Sequence, residues 1–196
     1  MSPARVRFMA CLLLCVGLAL AGCAVKPLMG QKNTLAPEEH AAALRGTLRH
    51  GDWIVMRTVR IVGNMVATVT QKPFSHAAIY DAEYDSAIEA VAHGVHRSSL
   101  EDLLRKSQRV LVIRPLWAND HNSRIAVERA RNLLGKSYDY SGLVGLSARD
   151  RYYCTELCME AYRPFIQERE PDNPIPRIIQ PGHMYFWGTI VYDTGP

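Results

Sequence analysis

The chain has 196 residues, 48% of them hydrophobic, 21% charged and 8% aromatic, which is the usage of an ordinary globular protein and excludes a disordered, collagen-like or coiled-coil chain. Its 23 Lys and Arg stand against 19 Asp and Glu, a formal charge of +4; without Arg5 and Arg7, which fall in a leader, the count is 21 against 19. Signs that nearly balance and are interspersed exclude the basic stripe of a nucleic-acid binder, and the five cysteines follow neither a zinc-ribbon nor a disulfide-framework spacing.

Residues 1–22 read as a signal peptide. Arg5 and Arg7 precede an apolar run over 8–21, about 14 residues against the roughly 20 that a membrane-crossing helix needs. The run closes on Leu20-Ala21-Gly22-Cys23, which resembles the bacterial lipobox. That resemblance implies that Cys23 is lipidated and opens the mature chain, anchored to a membrane. Ala24 at the next position resembles an outer-membrane sorting signal and implies the periplasmic face of that membrane. Residues 23–36 then read as a polar tether, and residues 37–196 as one domain.

A helix is expected from Pro37, with Glu38 and Glu39 complementing its dipole. Gly51 and Asp52 turn the chain into a strand over 53–56, and 57–70 reads as mixed and helical. SHAAIY (75–80) and AIEAVA (87–92) are strand-like runs around a turn at 81–86. Ser98 and Glu101 have capping-box spacing ahead of a helix over 99–105. QRVLVIR (108–114) is a strand. Asn122 is expected to cap a helix running to Leu134 and closed by Gly135. A further helix should start near Cys154 and stop before Pro164, since proline cannot continue the ladder. A Pro-rich stretch over 171–181 leads to a last strand over 189–192. The irregular alternation favours an α+β fold.

Once Cys11 and Cys15 leave with the leader and Cys23 is acylated, Cys154 and Cys158 are the remaining thiols. Helical neighbours four apart hold their Cβ atoms about 5–6 Å apart, beyond the roughly 3.5–4.5 Å of a disulfide, so they should not be bonded to each other. Cys158, between Leu157 and Met159, reads as a core residue. Cys154 lies at a helix start, where unpaired N–H groups and the dipole favour a thiolate and could receive an oxyanion. Such a nucleophile needs a base and the base an orienter. Of the seven histidines, His76 has the clearest strand setting, whereas His40 and His50 lie in or beside the first helix, His93 and His96 follow a strand, His121 lies in a polar turn and His183 in the Pro-rich tail. Glu89 sits inside an otherwise apolar strand, where a carboxylate is costly unless a group such as an imidazole satisfies it.

Gly51-Asp52 before a strand, Ser75-His76 opening a second, Glu89 on a third and Tyr153-Cys154-Thr155-Glu156-Leu157 opening a late helix together resemble the circularly permuted papain-like hydrolases of the NlpC type, in their YiiX-like branch. Gly135-Lys136-Ser137-Tyr138-Asp139 resembles the Gly-x-x-Tyr-Asp stretch that precedes the nucleophile in this superfamily. The resemblance covers residues 49–165. It implies an antiparallel sheet packed against helices and a Cys-His-Glu triad in which Cys154 attacks a carbonyl carbon, His76 moves the proton and Glu89 holds the ring. Tyr138 is the candidate for lining the site or meeting the oxyanion. Tyr152 and Tyr153 read as packing residues and Glu156 as a solvated or capping one. The implied activity is hydrolysis of amide bonds in peptides, cell-wall peptides or N-acyl amino compounds of the bacterial envelope. Acyl transfer or lipid hydrolysis by the same thiol, and a non-catalytic envelope-binding lipoprotein, stay open beside it. No cofactor is called for, and although Cys154, His93 and His96 could be assembled into a zinc site on paper, their spacing does not demand a metal.

Overall fold

The computed structural model describes residues 36–58, 74–146, 148–166 and 175–195. The expected leader, the lipidation site at Cys23 and nearly all of the tether lie outside them, as do 59–70 of the segment read as helical. The first two residues of that segment, Arg57 and Thr58, end a strand instead. Among the described residues no helix is long and apolar enough to cross a membrane.

The element order is helix α1 (Pro37–Arg45), strands β1 (Trp53–Thr58), β2 (His76–Asp81), β3 (Ser86–Val91) and β4 (Gly94–Ser99), helix α2 (Leu100–Arg105), β5 (Ser107–Pro115), α3 (Asp120–Asn132), β6 (Ser137–Tyr138), a 3-10 turn (Gly142–Val144), β7 (Arg151–Tyr152), α4 (Cys154–Ile166), a 3-10 segment (Pro181–Trp187) and β8 (Gly188–Asp193). Six strands form one sheet in the order β4-β3-β2-β1-β5-β8, each pair antiparallel. Side-chain alternation divides its apolar residues between two faces. Ile54, Met56, Ala78, Tyr80 and Val112 pack with Leu44 of α1 and Leu103 of α2. Trp53, Val55, Ile79, Ile88 and Ile113 pack with Val127 of α3 and Leu157 and Tyr162 of α4. The sheet is thus buried on both sides, and the α+β expectation of an antiparallel sheet against helices describes the chain.

Four local expectations are corrected. The cap of α2 is Ser99, whose side chain accepts from the Asp102 N–H, not Ser98 paired with Glu101. Asn119, rather than Asn122, caps α3 by accepting from the N–H groups of His121 and Asn122, and that helix ends at Asn132, with Leu133 as its C-cap. Helix α4 runs through Pro164 to Ile166. Pro164 withholds the N–H that the Glu160 carbonyl would have accepted, and the Arg129 guanidinium of α3 donates to that carbonyl in its place, at 3.3 and 3.2 Å. Strand β4, finally, follows no apolar run, and its entry depends on Gly94, whose φ of +114° and closeness to the Lys136 carbonyl leave no room for a side chain.

Candidate active site

Cys154 is the first residue of α4 and is 6% exposed. The turn before it is closed from both directions. Glu156 Oε2 accepts from the Tyr153 N–H at 3.3 Å, the reciprocal half of a capping box, so the capping expectation for Glu156 describes its contact. The Tyr153 hydroxyl accepts from the Ile179 N–H, and Thr155 donates to the Ile179 carbonyl at 2.6 Å. Residues beyond the stretch covered by any motif therefore hold the start of the nucleophile's helix in place.

The short parallel pair β6 and β7 sets Tyr138 beside Tyr152, two residues ahead of Cys154. Tyr138 is half-buried. Burial first, and then the charge at Cys154, raise its phenol above the ordinary tyrosine value, and its ring packs edge-on against Tyr140 with centroids 4.9 Å apart. Its neighbour Asp139 is fully buried and ties down the following loop, accepting from Ser141 Oγ at 2.6 Å, the Gly142 N–H at 2.9 Å and the Ala148 N–H at 3.0 Å. In Gly-x-x-Tyr-Asp the acid is the keystone of the loop.

His76 opens β2, and its Nε2 lies 2.5 Å from Glu89 Oε2. Register pairs Ala78 with Glu89, which sets Glu89 on the neighbouring strand within reach of His76. The ring also meets the Cys154 thiol; with Nε2 given to Glu89, Nδ1 is the nitrogen left for sulfur. Burial by itself would lower the His76 pKa, but the contacts with Cys154 and Glu89 outweigh it and raise the ring to about 10. Glu89 is 3% exposed. Burial would push its carboxyl up, yet His76, then Ser98, then the charge of His96 bring it down to about 2.

The structure thus brings Cys154, His76 and Glu89 together, and pairs Tyr138 with Tyr152, two residues ahead of Cys154. It also brings two residues that the sequence did not single out for this place. Ser98 Oγ donates to Glu89 Oε1 at 2.5 Å, and His96 Nε2 lies 3.3 Å from that oxygen and 3.2 Å from Ser98 Oγ. His93 packs against His96 in a tilted arrangement, ring centroids 4.4 Å apart. No pattern in GVHRSS signals this, because a mixed polar strand does not announce which of its faces is buried.

The other candidates lie elsewhere. Cys158, one turn along α4, is fully buried among core residues, and burial, with the charge at Cys154, pushes its thiol well above the ordinary value; both cysteines are free thiols. His40 packs near Tyr192, His50 lies 3.8 Å from Asp81 at the far end of β2, His121 is in the first turn of α3, and His183 packs near Phe186. Among the described residues no group of three or more His, Cys, Asp or Glu side chains is arranged to hold a metal ion, so Cys154, His93 and His96 do not form one. A cleft of about 250 Å³ runs along α4, lined by Tyr153, Glu156, Met159, Arg163, Ile175, Arg177 and Ile179 among others but by none of Cys154, His76, Glu89 and Tyr138. A larger one of about 400 Å³, lined by Arg49, His50, Asp52, Arg114 and Arg124 among others, includes none of the site residues.

Comparison with known proteins agrees with this architecture. A family described as "permuted papain-like amidase enzyme, YaeF/YiiX, C92 family" matches residues 47–174. The chain is similar in structure to the metalloprotein yiiX from Escherichia coli O157:H7, with a TM-score of 0.53 and 21% sequence identity over 67% of this chain and 78% of that one. A search of curated proteins finds no match.

Proposed function

The chain belongs to the permuted papain-like amidase family, and on that premise we propose that it is a cysteine-dependent amide hydrolase working through Cys154, His76 and Glu89. One observation carries the assignment: a single imidazole contacts the thiol that opens α4 and, through its other nitrogen, a buried carboxylate. The charge set fits a thiolate–imidazolium pair, because the sulfur and the carboxylate both favour the protonated ring.

In this reading the Cys154 thiolate adds to the carbonyl carbon of an amide. The oxyanion is met by the Cys154 backbone N–H at the helix start, with the Tyr138 phenol as second donor. The C–N bond breaks as the His76 imidazolium gives its proton to the departing nitrogen, which releases an amine and leaves a thioester. The neutral ring then takes a proton from water as the water oxygen adds to the thioester. The C–S bond breaks, the carboxylic acid departs, and thiolate and imidazolium are restored. Glu89 keeps its charge throughout, holding the ring and stabilising its cationic form.

The cleft along α4 combines Met159, Ile175 and Ile179 with Arg163 and Arg177, a lining that supports a substrate joining an apolar acyl group to a carboxylate-bearing amine, such as a peptide end or an N-acyl amino acid. The leader and Cys23 support a lipid-anchored enzyme of the bacterial envelope, where cell-wall peptides are at hand. The deciding experiment is Cys154→Ala assayed on a panel of peptide and N-acyl amino acid amides. Amine release is expected to fall to background with an unchanged melting midpoint; turnover retained by that variant removes the nucleophile assignment.

A further inference from the structure

Glu89 Oε2 binds His76, and what holds the rest of the carboxylate is on the next strand. Register places His96 directly opposite Glu89 and Ser98 opposite Ala87, diagonal to it. Both side chains reach Oε1, and Ser98 Oγ and His96 Nε2 also lie within 3.2 Å of each other, so three polar groups form a closed triangle. For the clamp His96 Nε2 carries the proton and donates to Oε1, while its ring lies tilted against His93 with centroids 4.4 Å apart. A carboxylate held at one oxygen alone keeps a broad terminal torsion; bound at both, its plane is set.

We propose that Ser98 and His96 are positioning residues, a clamp on Glu89 Oε1 that fixes the orientation in which Oε2 meets the His76 ring. The inference rests on the catalytic reading above and adds to it a part that no motif carries. The titratable groups facing Glu89 are His76 from β2 and His96 from β4, with Cys154 behind His76 and His93 behind His96.

The test uses the full chain carrying Ser98→Ala, His96→Phe, both together, or His96→Gln, whose amide can still donate to the carboxylate. The double variant is expected to lose about 10- to 100-fold in kcat, the scale seen when partners that orient a reacting group are removed, with KM within about twofold. A loosened carboxylate supports the imidazolium less, so the basic limb of its pH–rate profile should move to lower pH. His96→Gln should recover most of the rate and return the limb. With Cys154→Ala inactive, an unchanged kcat in the double variant, or a rise in KM with an unmoved limb, overturns the clamp alone. Turnover by Cys154→Ala overturns the catalytic reading and the clamp with it.

Discussion

Strands β2 and β3 bury a carboxylate towards each end, and the two are treated differently. At the hairpin end Asp81 is fully buried and is saturated by guanidiniums: Arg131 Nε and Nη2 at 2.8 and 2.6 Å, and Arg97 Nη1 at 2.7 Å. Towards the other end Glu89 is held by His76, Ser98 and His96. Arginine does not give up its proton in a protein, whereas imidazole exchanges one near neutrality. Asp81 therefore neutralises a fixed charge and braces the sheet, while Glu89 faces a partner that can carry a proton to and from the sulfur beyond it. Burial of an acid in this fold does not itself mark chemistry; the titratability of its partner does.

That contrast can be broken at either end. Glu89→Gln keeps the volume and loses the charge; kcat per folded molecule should fall about 100-fold and the melting midpoint should drop as the pairing with His76 is lost, whereas an equal rate per folded molecule would demote Glu89 to a structural residue. The wild-type rate should decline on the alkaline side as His76, raised to about 10, loses its proton, and in Glu89→Gln this limb should lie at lower pH. Stability follows from the same two shifts. Glu89, lowered to about 2, contributes fully above its unperturbed 4.5 and loses that contribution as pH falls towards 2. His76 contributes fully below its unperturbed 6.5 and loses its contribution as pH rises from there to about 10. Urea midpoints should show the site's contribution greatest between 4.5 and 6.5, and a midpoint gain above pH 9 would contradict the sign.

Asp81→Asn should affect stability alone: a loss of about 2–3 kcal/mol in unfolding free energy, with kcat per folded molecule within about twofold. A fully buried pair costs about 3–5 kcal/mol to break, but the Arg97 and Arg131 side chains keep 28% and 25% of their surface in water, which reduces the penalty. A fall in kcat matching that of Glu89→Gln would erase the distinction between the two ends. The smallest effect concerns another guanidinium used structurally. Arg129→Ala should cost about 1 kcal/mol by leaving the Glu160 carbonyl without its donor, and adding Pro164→Ala should recover that loss, because the new N–H takes the donor's place.

How far the site was legible depended on the kind of signal each residue carried. Cys154 stands at a boundary between a polar stretch and an apolar helix, and Glu89 interrupts an apolar strand, so each violates its surroundings visibly. Ser98 and Ser99 do not: each has an acid three residues on, Glu101 and Asp102, and either could begin a capping box. Pairing with β3 decided it, turning Ser98 inward to Glu89 and leaving Ser99 to cap α2. Pro164 was misread because the rule against proline in helices assumes that a freed carbonyl finds no other donor, and here α3 supplies one.

The sequence by itself determined the elements with strong local periodicity, the family and the residues proposed for thiol chemistry, because each of these rests on neighbours along the chain or on a short motif. Only the tertiary structure decided which polar groups of β4 share the Glu89 carboxylate and which acid braces the sheet. Those outcomes depend on strand register and helix placement, and a hydrogen bond a few ångströms long leaves no trace in the spacing of residues that lie 9 or 13 positions apart.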